Sequence, residues 1–377
     1  MKNIIVQNSL VGKILLLLSV CFLASCDGFK DAVVPLEVKV ENVPTVLVIN
    51  GQIEKDQKAW VQLSYSLDID TSITTPVPYE KNAKVKLTSN NGQQEEFKYA
   101  GNGIYYGSNI VGEVNKTYTM TIEVNGKTYT ATSTMFKAPG YQAAWVNELK
   151  IVKLGIEYVI YDEQWIVNDP SATRNRYLFQ WWRNGVHDVR IDWCIDDDRV
   201  VNANEGLRLM NPTTSPAANE YTVFRAAEID KLTYDYYNMY EKIVRGLVSV
   251  ASQTPYNPVS NFGGGTIGNF RAVSFSSIVV LTPPALTVST KTGTPEVSFP
   301  LNVYFKKYNL YWSTTPGVTK NSNGIKNINF TNPSGKAGAY SPPNLKSGTT
   351  YYFRIEVEDE AGNVSILSPE ASTVVVK

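Results

Sequence analysis

Apolar and polar residues alternate with a period of two through much of this chain, the pattern of strands with one face buried and the other in water. Leu47-Val48-Ile49-Asn50-Gly51 opens the regular structure, and Val61, Leu63 and Tyr65 then alternate with Gln62 and Ser64. Val85 and Leu87 repeat the pattern, and Asn91-Gly92 offers a turn. The clearest unit sets Tyr118, Met120, Ile122 and Val124 against Thr119, Thr121 and Glu123, then passes through Asn125-Gly126 into Thr128 to Thr134. Asn-Gly accepts the positive φ angles of a type I′ turn, so a hairpin is predicted there. Short strands parted by turn residues predict a β-sandwich over residues 44–139, closing at Pro139.

From Gly140 to Thr282 the pattern changes, and an α+β domain is predicted over residues 140–282. Strands are expected around Leu149 to Val152, Tyr158 to Tyr161 and Tyr177 to Trp182. One long helix is expected over Ala226 to Ser252. Ile229, Leu232, Tyr236, Met239, Ile243 and Leu247 recur at three- and four-residue spacing, while Asp230, Asp235, Asn238, Glu241, Lys242 and Arg245 fall mostly on the other side. Tyr236, Tyr237 and Tyr240 form an aromatic stripe that suits a ligand platform, although packing on a sheet is its commoner use.

Pro283-Pro284 marks a boundary, and residues 283–377 read as a separate module. Tyr308 to Pro316 resembles a central strand and turn of the fibronectin type III family. Leu345 to Tyr351 resembles that family's tyrosine corner, in which a Tyr hydroxyl closes back on the backbone just upstream. The fold class expected for the whole is therefore mainly β, with two sandwiches flanking an α+β domain.

The first 25 residues read differently. Lys2 and Lys13 precede the apolar run Ile14 to Leu23, which has signal-peptide length and is short for a membrane span. Leu23-Ala24-Ser25-Cys26 resembles the bacterial lipobox, which implies cleavage before Cys26, lipidation of its thiol, and a tether over residues 26–43. Acyl chains contribute about 0.8 kcal/mol per buried methylene, so several make a durable anchor. Asp27 and Asp31 fit either inner-membrane retention or export to the cell surface, and the outer membrane with surface exposure is the expected location.

Composition narrows the function classes. Lys plus Arg and Asp plus Glu both number 35, so the chain lacks the basic field of a nucleic-acid binder. Of three cysteines, Cys21 leaves with the signal, Cys26 carries lipid and Cys194 has no partner, which leaves no disulfide framework. His187 is the only histidine and is expected in a surface loop, so a multi-histidine zinc site is excluded. Asp196, Asp197 and Asp198 are weak calcium candidates without EF-hand spacing. Cys194 reads as a buried small hydrophobe. Trp181, Trp182 and Trp193 fit a carbohydrate-stacking surface or a core. Gly263 to Gly268 satisfies GxGxxG, but a helix precedes it and a strand, Phe270 to Phe275, is expected after it. That order opposes a dinucleotide site and suggests a close backbone approach. No catalytic residue and no cofactor is assigned.

Tyr256 to Ala272 resembles the signature of an uncharacterised, domain-of-unknown-function family of Bacteroidota lipoproteins commonly encoded beside TonB-dependent outer-membrane receptors. Val48 to Ile53 and Asn175-Arg176-Tyr177 fit the same pattern, and Asn269 stands where it would carry an aromatic or apolar residue. The resemblance covers residues 27–282. It implies a non-catalytic accessory or ligand-binding partner of a TonB-dependent transporter; a glycan or peptide is the ligand expected. A surface adhesin or structural lipoprotein and a glycan-processing enzyme are the alternatives.

Overall fold

The computed structural model describes residues 45–67, 75–169, 174–187, 192–196, 207–210, 216–244, 258–290, 295–328 and 337–376. The lipobox expectations for Leu23 to Cys26 and the tether lie outside them.

In chain order the first strands are β1 (Leu47–Glu54), β2 (Lys58–Tyr65), β3 (Lys84–Ser89), β4 (Gln94–Glu96), β5 (Lys98–Gly101), β6 (Ile104–Val111), β7 (Lys116–Val124) and β8 (Lys127–Met135). Next come β9 (Tyr141–Lys153), β10 (Ile156–Val167), β11 (Arg176–Arg183), β12 (Val186–His187), β13 (Trp193–Asp196), β14 (Leu207–Met210), β15 (Tyr221–Glu228), α1 (Lys231–Val244), β16 (Ile267–Val273) and β17 (Ser276–Leu281). The last are β18 (Thr287–Ser289), β19 (Glu296–Pro300), β20 (Phe305–Ser313), β21 (Asn323–Ile328), β22 (Ala337–Tyr340), β23 (Thr350–Asp359) and β24 (Ala371–Val374). The chain is mainly β, as its periodicity predicts.

The first sandwich stacks the sheet β16-β1-β2-β6-β5 on the sheet β4-β3-β7-β8. Its core is built from inward positions such as Ile49, Val61, Leu63, Leu87, Met120, Ile122 and Phe270. The predicted hairpin is β7–β8, with Asn125 and Gly126 at φ 51° and 73°. Sequence order places this sandwich within residues 44–139, yet its edge strand β16 comes from residues 267–273 and pairs parallel with β1. The boundary at Pro139 therefore does not part the strands of this sheet. Parallel pairing needs a long crossover, and here the crossover contains the middle segment of the chain.

That middle segment holds the three-stranded sheet β14-β10-β9 and the sheet β12-β11-β15-β17, with β13 also on β11. Trp165 stacks on Phe224 at 4.1 Å and meets Trp181 edge-on at 5.4 Å, closing a second core. The helix differs from its expectation at its start. Ala226 to Glu228 belong to β15, because all three pair with β11 and Ala226 also pairs with β17. Strand pairing outweighs helical periodicity over these three residues. The helix is then capped by Asp230, whose Oδ1 accepts the N–H of Thr233 at 2.8 Å. Ser133 Oγ donates to the other Asp230 oxygen at 2.5 Å. Of the expected apolar stripe Ile229 and Tyr236 are buried, together with Thr233 and Tyr234, whereas Leu232 and Ile243 are exposed. Residues 245–252 of the expected helix lie outside the described part.

The last segment forms two sheets, β18-β19-β22 and β21-β20-β23-β24, around Val297, Phe299, Leu310, Phe353 and Ile355. This is the type III-like sandwich read from the sequence, and its corner is present: Lys346 N–H donates to Tyr351 OH at 3.1 Å. The first sandwich repeats the device, with Glu113 N–H donating to Tyr118 OH at 2.7 Å. Among the described residues no helix is long and apolar enough to cross a membrane.

Candidate functional site

On β1 the residues Leu47, Ile49, Gly51 and Ile53 face the sandwich core, so Asn50, Gln52 and Glu54 face outward. Register then aligns outward residues of neighbouring strands. Tyr106 on β6 stands opposite Trp60 on β2, Trp60 opposite Gln52 on β1, and Gln52 opposite Arg271 on β16. One transverse row thus crosses four strands on the face away from the core. A second, amide-bearing row runs parallel to it: Gln62 opposite Asn50, and Asn50 opposite Asn269.

Helix α1 and the region of β12 roof one end of this face. They enclose a groove of about 400 Å³ lined by Asn50, Gln52, Trp60, His187, Asp192, Tyr236, Tyr237, Tyr240, Asn269 and Arg271. Through Gln52 and Trp60 it continues into a second hollow of about 630 Å³ that reaches Tyr106 and Val111. Arg271 is among the lining residues. Its Nε donates to Gln52 Oε1 at 2.8 Å, its Nη1 donates to the Tyr237 hydroxyl, and its guanidinium lies 5.2 Å from the Tyr237 ring centre. Burial pushes the Tyr237 and Tyr236 hydroxyls up, Arg271 partly offsetting it, so both stay neutral donors. His187 Nε2 meets Asp192 Oδ1 at 2.7 Å, and Gln180 Nε2 donates to the other oxygen at 3.1 Å. The imidazole also stacks on Trp182 at 5.0 Å and 11°.

Asn269 is the anomaly. It is 4% exposed, and neither its side-chain oxygen nor its nitrogen has a hydrogen-bond partner among the described residues. A buried amide left in that state costs about 1–3 kcal/mol. Its neighbours do not explain it as packing, since the strand residues beside it on this face, Asn50 and Arg271, are polar as well.

The residues singled out in the sequence fall as follows. His187 is not in a surface loop: it is in β12, half-buried by Trp182 and Asp192. The loop reading missed that a two-residue Asn184-Gly185 turn folds this segment back onto β11. The tyrosine stripe both packs on the sheet and lines the groove. Trp181 is buried in the second core, while Trp182 supports His187 and Trp193 packs near Phe179 at 6.0 Å, so these three do not make a common surface. Cys194 is buried, and burial pushes its thiol well above the ordinary range. Asp196 closes β13, whereas Asp197 and Asp198 lie outside the described residues. Among the described residues no group of three or more His, Cys, Asp or Glu is placed to hold a metal.

Gly263, Gly264 and Gly265 all take positive φ, at 65°, 61° and 75°, in a loop that leads into β16. The close approach falls at Gly268: a Cβ there would lie 2.1 Å from the Ile49 carbonyl oxygen. Asn261 holds the loop against the strand, its amide donating to Phe270 O at 2.7 Å and accepting from Phe270 N at 3.0 Å. The glycine-rich signature therefore serves to lay β16 beside β1, and so to bring Asn269 and Arg271 to Asn50 and Gln52. Of the groove, the sequence signalled Asn269 as out of pattern and the tyrosines as a stripe. Trp60, Gln52, Tyr106 and Arg271 carried no local signal.

Fold and groove together define a mainly β protein with an open, polar-aromatic sheet face. The chain belongs to the DUF4249 family, a domain of unknown function, whose model matches residues 33–278. No curated protein matches it. Among solved structures it is similar to the chicken CNTN1 FN1-FN3 domains, at 9% identity over 88% of this chain and 99% of that one, with a TM-score of 0.20. It is also similar to titin domains A168-A170, at 10% identity over 89% and 98%, with a TM-score of 0.19.

Proposed function

We propose that this protein is an envelope lipoprotein, anchored through Cys26 in the outer membrane, that holds a ligand without transforming it and passes it to a TonB-dependent transporter. The observation that carries the binding role is the aligned row Tyr106, Trp60, Gln52 and Arg271, which presents stacking surface and directed hydrogen bonds along one groove. The lipobox run supports the anchor, and the likeness of Tyr256 to Ala272 to transporter-linked lipoproteins supports the partner. An anchor in the same plane as a receptor raises the effective concentration of each for the other. The groove is better suited to holding than to hydrolysis: Asp192 is bonded to His187 and Gln180, and Glu54 is bonded to Arg225 and Gln52.

The test is affinity purification of the lipidated protein from its native membranes. Recovery of a large β-barrel receptor in stoichiometric amount is expected, and Cys26→Ala should release the protein from the membrane fraction. Recovery of no barrel, with binding to matrix or cells that requires residues 284–377, would instead make it an adhesin.

A further inference from the structure

We infer that the groove over the first sheet is a saccharide site, taking a neutral oligosaccharide across the strands with one sugar ring on Trp60 and the next group of hydroxyls at Asn269 and Arg271. The inference rests on the binding role proposed above and names its ligand class.

Three observations lead to it. First, the lining offers donors and acceptors in one place without a dominant charge. Arg271 uses Nε and Nη1 on Gln52 and Tyr237, and Nη2 has no partner among the described residues; Asp192, a carboxylate with about four acceptor sites, has two engaged. Hydroxyls, which both give and accept hydrogen bonds, match such a set, whereas a polyanion would meet Asp192, Glu54 and Asp56 along the groove. Second, Trp60 and Tyr106 are neighbours in register, and Tyr106 is 47% exposed. They give an apolar strip for the C–H faces of successive rings. A peptide added to a sheet would need free backbone groups at an edge. The groove instead crosses β2 and β1, each bonded on both sides, and on the edge strand β16 the Phe270 backbone is held by Asn261 and the Ala272 N–H by Ser133, so side chains are what it presents. Third, Asn269, buried in the lining of the groove, leaves its side-chain N–H donors and oxygen without a partner among the described residues. A sugar hydroxyl pair supplies the missing partners, which accounts for a polar residue at a position whose burial favours an apolar one.

The experiment is calorimetric titration of the whole protein with hexamers of glucose in α-1,4 and β-1,4 linkage, of β-1,4-xylose and of β-1,4-mannose, and with a mixed hexapeptide library. Wild type is compared with Asn269→Leu and Trp60→Ala. The expected result is saturable binding of at least one hexamer, weakened about tenfold or more in both variants, a loss of at least the 1.4 kcal/mol that a factor of ten represents. Asn269→Leu should at the same time raise the melting temperature, because it removes an unsatisfied buried amide. A variant that merely unfolds the site would lower it, so the two readouts separate recognition from structure. Binding of peptides but of no hexamer, lost in Trp60→Ala, would keep the binding groove and overturn its saccharide specificity. Binding of neither class would overturn both.

Discussion

Arg271 Nε donates a hydrogen bond to Gln52 Oε1 at 2.8 Å although 219 positions separate the two residues. The bond exists because β16 lies parallel to β1 with Gln52 directly opposite Arg271. Arg271→Lys keeps the charge but loses the planar fork that reaches Gln52 and Tyr237 together. It should cost about 1 kcal/mol of stability, the worth of one hydrogen bond, and weaken ligand binding more than stability. Denaturant titration beside binding calorimetry measures both.

Gly268 is where β16 comes closest to β1. It has φ 101°, and an added Cβ would lie 2.1 Å from a backbone oxygen that cannot move aside. Gly268→Ala should therefore destabilise the first sandwich by about 3 kcal/mol or more. Loss of amide protection in β1 and β16 ahead of β7 and β8, followed by hydrogen exchange, would locate the damage. A melting temperature equal to wild type would show that the two strands are not held in this register.

Among the described residues four hairpins turn on two residues with paired positive φ, one of them β5–β6 at Asn102-Gly103 with φ 49° and 71°. Asn125-Gly126 and Asn184-Gly185 use the expected chemistry, while β9–β10 turns on Leu154-Gly155 at φ 53° and 77°. Leu154 is 95% exposed, so no packing compensates its left-handed backbone. Leu154→Asn should stabilise the protein by about 0.5–1 kcal/mol. Thermal melting of the single variant is sufficient, and destabilisation would contradict the turn geometry.

Two buried carboxylates set an acid limit. Burial alone would push the Glu356 carboxyl up, but hydrogen bonds from Lys320, Tyr311 and Asn309 outweigh it and hold it below its ordinary 4.5. Glu80 behaves likewise: burial raises it, and Tyr65 OH at 2.5 Å with the N–H of Asn82 at 2.7 Å brings it down. The Tyr65 hydroxyl is pushed up to about 12 by burial and by Glu80. Both carboxyls are lower in the folded state than in the unfolded one, so their contribution is complete above the ordinary 4.5 and is lost as pH falls through the depressed folded values. The urea midpoint should be flat from pH 7 to about 5 and then fall. Glu356→Gln should flatten the part of that fall that belongs to the last sandwich, and an unchanged acid limb would contradict its role.

What was legible in the sequence follows a physical division. Alternation and turn chemistry are local, so β7–β8 and the tyrosine corner at Tyr351 could be read directly. The start of α1 was also written locally, in Asp230, but the three helix-compatible residues Ala226 to Glu228 are held in β15 by pairing with β11, joined at Ala226 by β17. The capping residue of that helix is also bonded by Ser133, 97 positions away. The groove was the least legible part because every pair in its row is made by register between strands. Of its residues the sequence singled out Asn269, polar where the family pattern is apolar, the stripe Tyr236, Tyr237 and Tyr240, and the sole histidine, His187.

The central claim is that the ligand lies on the outward face of the first sheet. Hydroxyl-radical footprinting of the intact protein, with and without a saturating mixture of the four hexamers, tests it residue by residue. Protection of Trp60, Tyr106 and Tyr240 together is expected, with Tyr158 on the β9–β10 hairpin oxidised equally in both samples. Protection of Tyr158 or of the last sandwich, with Trp60 and Tyr106 unchanged, would contradict it.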